Sequence, residues 1–394
     1  MSSEIITYEK KDFPKLPALI GAILTILGLA LGIVAYYVDP ARAGFNTIIA
    51  FMFLMSIGLG SLFIVALEYL AGAVWSTPFR RIAEIFGLLL FVAPLLAVPG
   101  FFNLHELFHW SHPEAVAHDA ILQVKAPYLN TTFFIIRNLV IFAVFMIFYL
   151  ILTRNSNKQD ISGDQKLTTI NVKFSAAFMP FFAIGLTLLA IDWMMSLEPH
   201  WFSTIYGVYY FAGSFLAALA ALTYTVIKLN EKNLLVNGIK KDHYYSLGAL
   251  MFGFTNFWAY IAFSQFLLIW YANLPEETYW FINRWEGSWK FVSLGIILVR
   301  FLVPYILLIS QPAKMDPKRL KIASLWILAS HFYDLYWLVM PTFSKGGCLF
   351  GWMEIVFPIL AVGLVILVFA LAAKKKNLVA AGDPKLQRAL DFRL

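Results

Sequence analysis

Cysteine is almost missing: Cys348 is the single thiol in 394 residues. One thiol excludes a disulfide framework, a four-cysteine cluster site and a CxxCH haem attachment. Charge is scarce as well, at 13% of residues, where a soluble domain carries about 25%. No dinucleotide fingerprint or phosphate loop occurs. No cleavable leader is expected, because Met1 to Leu16 is polar and charged and the first apolar run is long enough to span a bilayer. What is present is apolar: 60% hydrophobic residues and 17% aromatic ones, with a mean hydropathy of +0.74. Lipid is therefore the expected solvent. The net charge of +7 sits between apolar runs, so no nucleic-acid partner is expected.

A span needs about 20 apolar residues. Ten such runs lie at 17–38, 45–71, 79–101, 128–153, 172–196, 203–228, 244–272, 289–310, 320–341 and 352–373. The cations between them alternate in density. One side collects Lys10, Lys11, Lys15, Arg80, Arg81, the 154–173, 228–241 and 314–321 groups and the tail from Lys374 to Arg393. The other side has only Arg42, Lys125, Arg284, Lys290 and Lys345, which makes 23 against 5. The excess of Lys and Arg marks the cytoplasmic side. The sequence thus predicts a multi-pass protein of the cytoplasmic membrane with both termini in the cytoplasm. Tyr36, Tyr37, Trp201, Trp270, Trp280, Trp285 and Trp289 fall at span ends, where interfacial aromatics belong.

Spans two to five resemble spans six to nine. Ile135-Ile136-Arg137-Asn138-Leu139-Val140 matches Leu298-Val299-Arg300-Phe301-Leu302-Val303, and Asp192 to Pro199 matches Asp334 to Pro341. Gly60-Ser61 pairs with Gly213-Ser214, and Phe86-Gly87 with Leu247-Gly248. A four-span unit enters twice from the same side, so the repeat is parallel. The expected fold is an all-α polytopic membrane protein with two four-helix bundles and one flanking helix at each end. The divisions are 1–44 (tail and flanking helix), 45–201 (first bundle with a histidine-rich outer loop), 202–345 (second bundle) and 346–394 (flanking helix and tail). Gly58, Gly60, Ser61, Gly213 and Ser214 would let helices approach closely.

Ionisable side chains at bilayer depth cost about 2.5–3.5 kcal/mol each on insertion scales, so they are paired or functional. The candidates are Arg300, His331, Asp334, Arg137, Asp192, Glu68 and Glu84. His331 and Asp334 lie one turn apart on one helix face. One reading pairs Arg300 with Asp334 and Arg137 with Asp192 simply to neutralise charge. The other is a proton route through these groups, bridged by water and by Tyr333, Tyr336, Ser330 or Gln265. The outer loop holds a different signal: His105-Glu106-Leu107-Phe108-His109 fits HExxH, in which two histidines one turn apart bind zinc, and His112 could be a third ligand. Pro113 follows at once, and an amphipathic outer helix that docks another protein or lies on the surface is the plainer reading. Only His331 is deep in a span, so two facing axial histidines for a b-type haem are missing. No haem, flavin or cluster is expected in this chain.

Four stretches carry a family resemblance: Leu107-Phe108-His109-Trp110-Ser111-His112-Pro113; Lys125-Ala126-Pro127-Tyr128-Leu129-Asn130; Gly207-Val208-Tyr209-Tyr210-Phe211; and Tyr279-Trp280-Phe281 with Arg284-Trp285-Glu286-Gly287-Ser288-Trp289. With the duplicated bundles, the chain resembles the NrfD/PsrC-like membrane subunits, and within them the F subunits of bacterial alternative complex III. The resemblance implies an integral subunit of a quinol:cytochrome c oxidoreductase. Such a subunit is a scaffold and proton conductor without a redox centre of its own. Implied partners are a paralogous NrfD-like membrane subunit, a periplasmic iron–sulfur protein, haem c subunits and lipid, with a terminal oxidase as alternative acceptor. The implied reductant is menaquinol or ubiquinol. A quinone site in this chain is not assigned by the sequence, although Asp192 and the His105–His112 region have the right chemistry. Two readings come from other classes, a membrane zinc protease built on the HExxH stretch and a secondary transporter; the transporter would show matched breaks in both repeats. Pro94 and Pro99 have no counterpart in the seventh span.

Overall fold

Local signals start the helices cleanly. Asp39 accepts the backbone N–H of Arg42 at 3.0 Å, Asn130 that of Phe133 at 2.9 Å, and Asp316 that of Lys318 at 3.0 Å; each opens a long helix, as side-chain N-caps do. The computed structural model describes residues 11–394, and Lys10 and the start of the predicted tail lie outside them. Ten of its helices are long and apolar enough to cross a membrane: α1 (Lys15–Val38), α2 (Pro40–Ala71), α3 (Thr77–Phe102), α4 (Thr131–Ser162), α5 (Lys166–Leu197), α6 (Tyr206–Glu231), α7 (Lys241–Ala272), α8 (Trp289–Leu308), α9 (Pro317–Phe343) and α10 (Met353–Lys375). The chain is an all-α polytopic membrane protein. The first described residues and the C-terminus share one end of the bundle, called here the terminal end; the other is the loop end.

Several helices outrun their apolar stretch. α4 continues two turns past residue 153 to Ser162, because its buried stripe continues as Thr153, Ser156 and Gln159, and Gly163 ends it at φ +63°. Hydropathy ends where this polar but buried stripe begins.

α2, α3, α4 and α5 pack in sequence into one four-membered ring, and α6, α7, α8 and α9 into another. The rings join through α2 and α6. α2 is buried almost continuously from Ala43 to Tyr69, and α6 similarly from Tyr206 to Leu229. α1 lies along α10, and this pair packs on α2. The outer helices bury only a stripe; in α8 it is Trp289, Ile296, Arg300, Pro304 and Leu308. The remaining faces are apolar and open to lipid.

α2 and α6 meet at Gly60, where a Cβ would lie 2.6 Å from the Ala218 Cβ and 2.8 Å from the Ser214 carbonyl oxygen. Neither neighbour can swing away, so the approach depends on the missing side chain. Gly60→Leu is expected to lower stability by about 1–3 kcal/mol through overpacking. Gly253→Ala, on α7 with nothing within 4 Å of its Cβ, is the control and should leave thermal unfolding in detergent unchanged.

The segment between α3 and α4 is not one amphipathic helix. It is a series of short turns of helix at Leu104–Leu107, His109–Ser111, Pro113–His118 and Ala120–Lys125. The break falls at Phe108, which is extended and fully buried, with Trp110 beside it against Phe134. Burial of these two rings outweighs helix continuation. His105 and His109 therefore do not share one helical face, and the zincin geometry does not form. His105 Nδ1 contacts Ser111 Oγ at 3.1 Å, and His112 Nε2 contacts the His105 carbonyl at 2.8 Å.

Candidate functional site

The deepest polar cluster sits where α8, α9, α6 and α2 converge. α8 widens into a π-helical stretch over Ile296–Leu302, a rare geometry often found at functional sites, and it presents Arg300. The guanidinium donates to the Ile327 carbonyl at 3.0 Å, Ser330 Oγ at 3.2 Å and His331 Nδ1 at 3.0 Å. Its Nε lies 3.6 Å from Asp334 Oδ2, and the Trp258 ring lies 5.3 Å away. Asp334 Oδ1 accepts the Tyr209 hydroxyl at 2.5 Å. All of these side chains are buried.

The direction of one bond follows from chemistry. Arginine only donates, so His331 Nδ1 accepts and the ring proton of the neutral imidazole sits on Nε2. That proton points to Ser56 Oγ on α2, 2.9 Å away. Ser56 also receives the Ser214 hydroxyl at 3.0 Å and donates to the Met52 carbonyl, which the Tyr210 hydroxyl shares at 2.8 Å. Gly213 leaves the room: a Cβ there would lie 3.2 Å from both Arg300 Nη2 and His331 Cε1. The helix pairing suggested by Gly213 in the sequence is thus a space for the Arg–His pair.

Arg300, His331 and Asp334 are therefore brought together, but with only one of the bridging side chains expected. Ser330 joins. Tyr333 gives its hydroxyl to the Val292 carbonyl at 2.8 Å, and Tyr336 to the Leu349 carbonyl. Gln265 is buried with no donor to its Oε1. The bridging tyrosine is Tyr209 on α6, three helices before Asp334, and by sequence alone it belongs only to the Gly207–Phe211 stretch.

The first bundle has a tighter version of the same pair. Arg137 grips Asp192 in a fork, Nε to Oδ2 at 2.9 Å and Nη2 to Oδ1 at 2.8 Å. Tyr128 and Asn138 complete the carboxylate at 2.9 and 3.1 Å, and Asn138 in turn receives Trp193 Nε1 at 2.7 Å. Asp192 has no accessible surface, and each of its oxygens already takes two donors. It offers nothing to a quinol hydroxyl.

Glu68 and Glu84 lie at the terminal end in a third cluster. Arg80 Nη1 reaches Glu68 at 2.9 Å and Asp383 of the tail at 2.6 Å, and its Nε reaches Glu84 at 3.3 Å. Arg81 pairs with Glu84 and, at 2.5 Å, with Asp160. Four carboxylates thus surround two guanidinium groups. By sequence alone Arg80 and Arg81 count only among the cations of the expected cytoplasmic side. Their position just below Glu68 on a short connection was the available signal.

At the loop end, Arg284 is likewise only a loop cation by sequence alone. Pro341 has no N–H, so the Trp337 carbonyl one turn earlier in α9 lacks its helical partner. Arg284 supplies it at 3.2 Å, also binds the Leu338 carbonyl at 2.8 Å, and stacks 3.4 Å from the Trp280 ring centre. Glu198 lies 3.7 Å away. Burial pulls the Arg284 guanidinium down to about 10. Nearby on the surface, the hydrogen bond from His200 holds the Asp119 carboxyl below its usual range.

Breaking a buried pair is costlier than removing both members. Arg137→Leu should destabilise the protein by about 3–5 kcal/mol, and Arg137→Leu with Asp192→Leu should recover most of that loss, read as thermal unfolding in detergent. Among known proteins, no protein-family model matches the chain, and no curated protein matches it.

Proposed function

We propose that this chain is the NrfD-like integral subunit of a quinol:electron-acceptor oxidoreductase, working as scaffold and proton conductor. In this reading it lies in a bacterial cytoplasmic membrane with its terminal end in the cytoplasm. Cytochrome c or a terminal oxidase accepts the electrons. Haem c subunits and an iron–sulfur protein carry them, and a paralogous membrane subunit lies alongside.

The observation that carries the reading is the buried chain Tyr209–Asp334, Arg300–His331 and His331–Ser56 across four helices. A charge pair meant only for neutralisation needs no histidine and no hydroxyl relay. The first bundle makes the contrast, because its pair is closed by amide, indole and phenol groups alone. Arg300 holds a fixed charge and cannot relay a proton. Tyr209 and Asp334 can exchange one directly, and so can His331 and Ser56; Arg300 stands between the two pairs, so water has to join them.

From Ser56 to Glu68 along α2 is about 18 Å at 1.5 Å per residue. Ser61 and Thr223 are buried with hydroxyls that have no protein partner. Buried hydroxyls of this kind are where ordered water binds, and water would connect Ser56 to the carboxylates at the terminal end. At the loop end, Tyr206 stacks 6.5 Å from Tyr209.

Two measurements test the reading. The purified assembly, reconstituted in vesicles with quinol and cytochrome c, should move protons as it turns over. Asp334→Asn should abolish that movement while the complex stays assembled; unchanged proton uptake refutes the conduit. In mild detergent the chain should co-purify with haem and iron, and a colourless, monodisperse single chain refutes the complex.

A further inference from the structure

Between α9 and the α1/α10 pair runs an apolar groove of about 660 Å³. Its floor is α2 and α6. It extends along α10 from Ile355 to Phe369, about 21 Å at the helical rise. Its side is open to the bilayer, since Leu325 and Ile355 on its rims are 50% and 47% exposed. Of its lining residues only Tyr224, Thr225 and Glu354 are polar beyond the carbon wall. Glu354 is at the loop end, where Arg42 already binds it at 2.6 Å.

The terminal mouth is different. Tyr224 and Thr225 sit there, with Lys228 one turn further along α6 and its Nζ 6.0 Å from the Tyr224 ring centre. Lys321 lies one turn before the lining Leu325, and Lys15 two residues before the lining Pro17. Glu231 bridges Lys228 and Lys321. Three lysines against one carboxylate leave two positive charges at the mouth. Just beyond it, Lys11 Nζ reaches the Asn233 carbonyl at 2.5 Å.

We propose that this groove is a binding site for one anionic phospholipid of the terminal-side leaflet, with an acyl chain in the groove and its phosphate between Lys15, Lys228 and Lys321. The parts match. A groove bordered by hydrocarbon along its whole side fills with hydrocarbon, and it is longer than the ~15 Å that one leaflet's chains occupy. Basic pockets between helices at a membrane face recruit acidic headgroups. A quinone fits less well. The stacked Phe53 and Phe332 rings, 3.6 Å between centres, close the floor between the groove and His331. No protonatable group from the buried cluster therefore reaches a quinone ring there. The site does not depend on the proposed electron-transfer role.

The test is native mass spectrometry of the full chain, delipidated in mild detergent and titrated with phosphatidylglycerol or phosphatidylcholine. One phosphatidylglycerol should be retained with a preference of about tenfold, as two or more lysines near a phosphate would give. Lys228→Gln with Lys321→Gln should remove the preference, since Lys228 is exposed, Lys321 is partly buried, and both lie outside the buried clusters. Ala329→Trp, which points a large ring into the groove from an exposed position, should remove retention of either lipid while thermal unfolding stays unchanged. Equal retention of the two lipids, retention unaffected by the lysine changes, or an isoprenoid quinone held in place of phospholipid would each overturn the proposal.

Discussion

A guanidinium inside a bilayer brings five N–H donors to a place with no water to receive them. Arg300 meets this constraint chiefly on one neighbouring helix, α9. A backbone carbonyl of α9, a serine, a histidine and a carboxylate all face it. The π-helical stretch in α8 and the bare Cα of Gly213 are the backbone adjustments that make the room. Once Arg300 fixes His331 as an acceptor at Nδ1, the other ring nitrogen must donate, and Ser56 of the first bundle receives the proton. A single buried cation thereby sets both the tautomer of a histidine and a contact between the two bundles.

The two bundles solve one problem in two ways. Both place an arginine on the third helix of the ring and an aspartate on the fourth. In the first, the fork between Arg137 and Asp192 uses the carboxylate fully, and aromatic rings seal it. In the second, the pair is looser, at 3.6 Å, and the freed positions go to Tyr209 and His331. The tight pair uses every donor of the fork on the carboxylate, whereas the loose one leaves Arg300 Nε without a hydrogen bond. Each sits on the same kind of ring, so the difference comes from a few side chains rather than from architecture.

The terminal end adds what hydropathy ignores. The tail after α10 is packed structure: Leu378, Val379, Ala380, Leu386 and Ala389 are buried, Asp383 binds Arg80, and the Ala389 carbonyl receives His243. It covers the carboxylate cluster of α2, α3 and α4. The extended end of α4 provides the wall against which it rests, with the Gly382 N–H donating to Asp160.

The sequence alone determined the ten spans and singled out the charges that fall within them. Crossing lipid is a property of about 20 consecutive residues, and a charge in such a run is conspicuous wherever the run ends up. It also pointed to Arg300 beside Asp334 and Arg137 beside Asp192, because the two segments repeat. Only the tertiary structure decided which polar groups complete those pairs. Tyr209, Ser56, Tyr128 and Asn138 are ordinary residues in their own helices and become partners through packing between helices far apart in sequence. The same holds for Arg284, whose role depends on a carbonyl freed by Pro341, and for Arg80, whose role depends on a tail some 300 residues later. The HExxH spacing failed for the opposite reason. A local pattern promised a helix, and the burial of Phe108 and Trp110 against the first bundle broke it. Span formation is local and shows in composition; satisfaction of buried polar groups is a three-dimensional condition and does not.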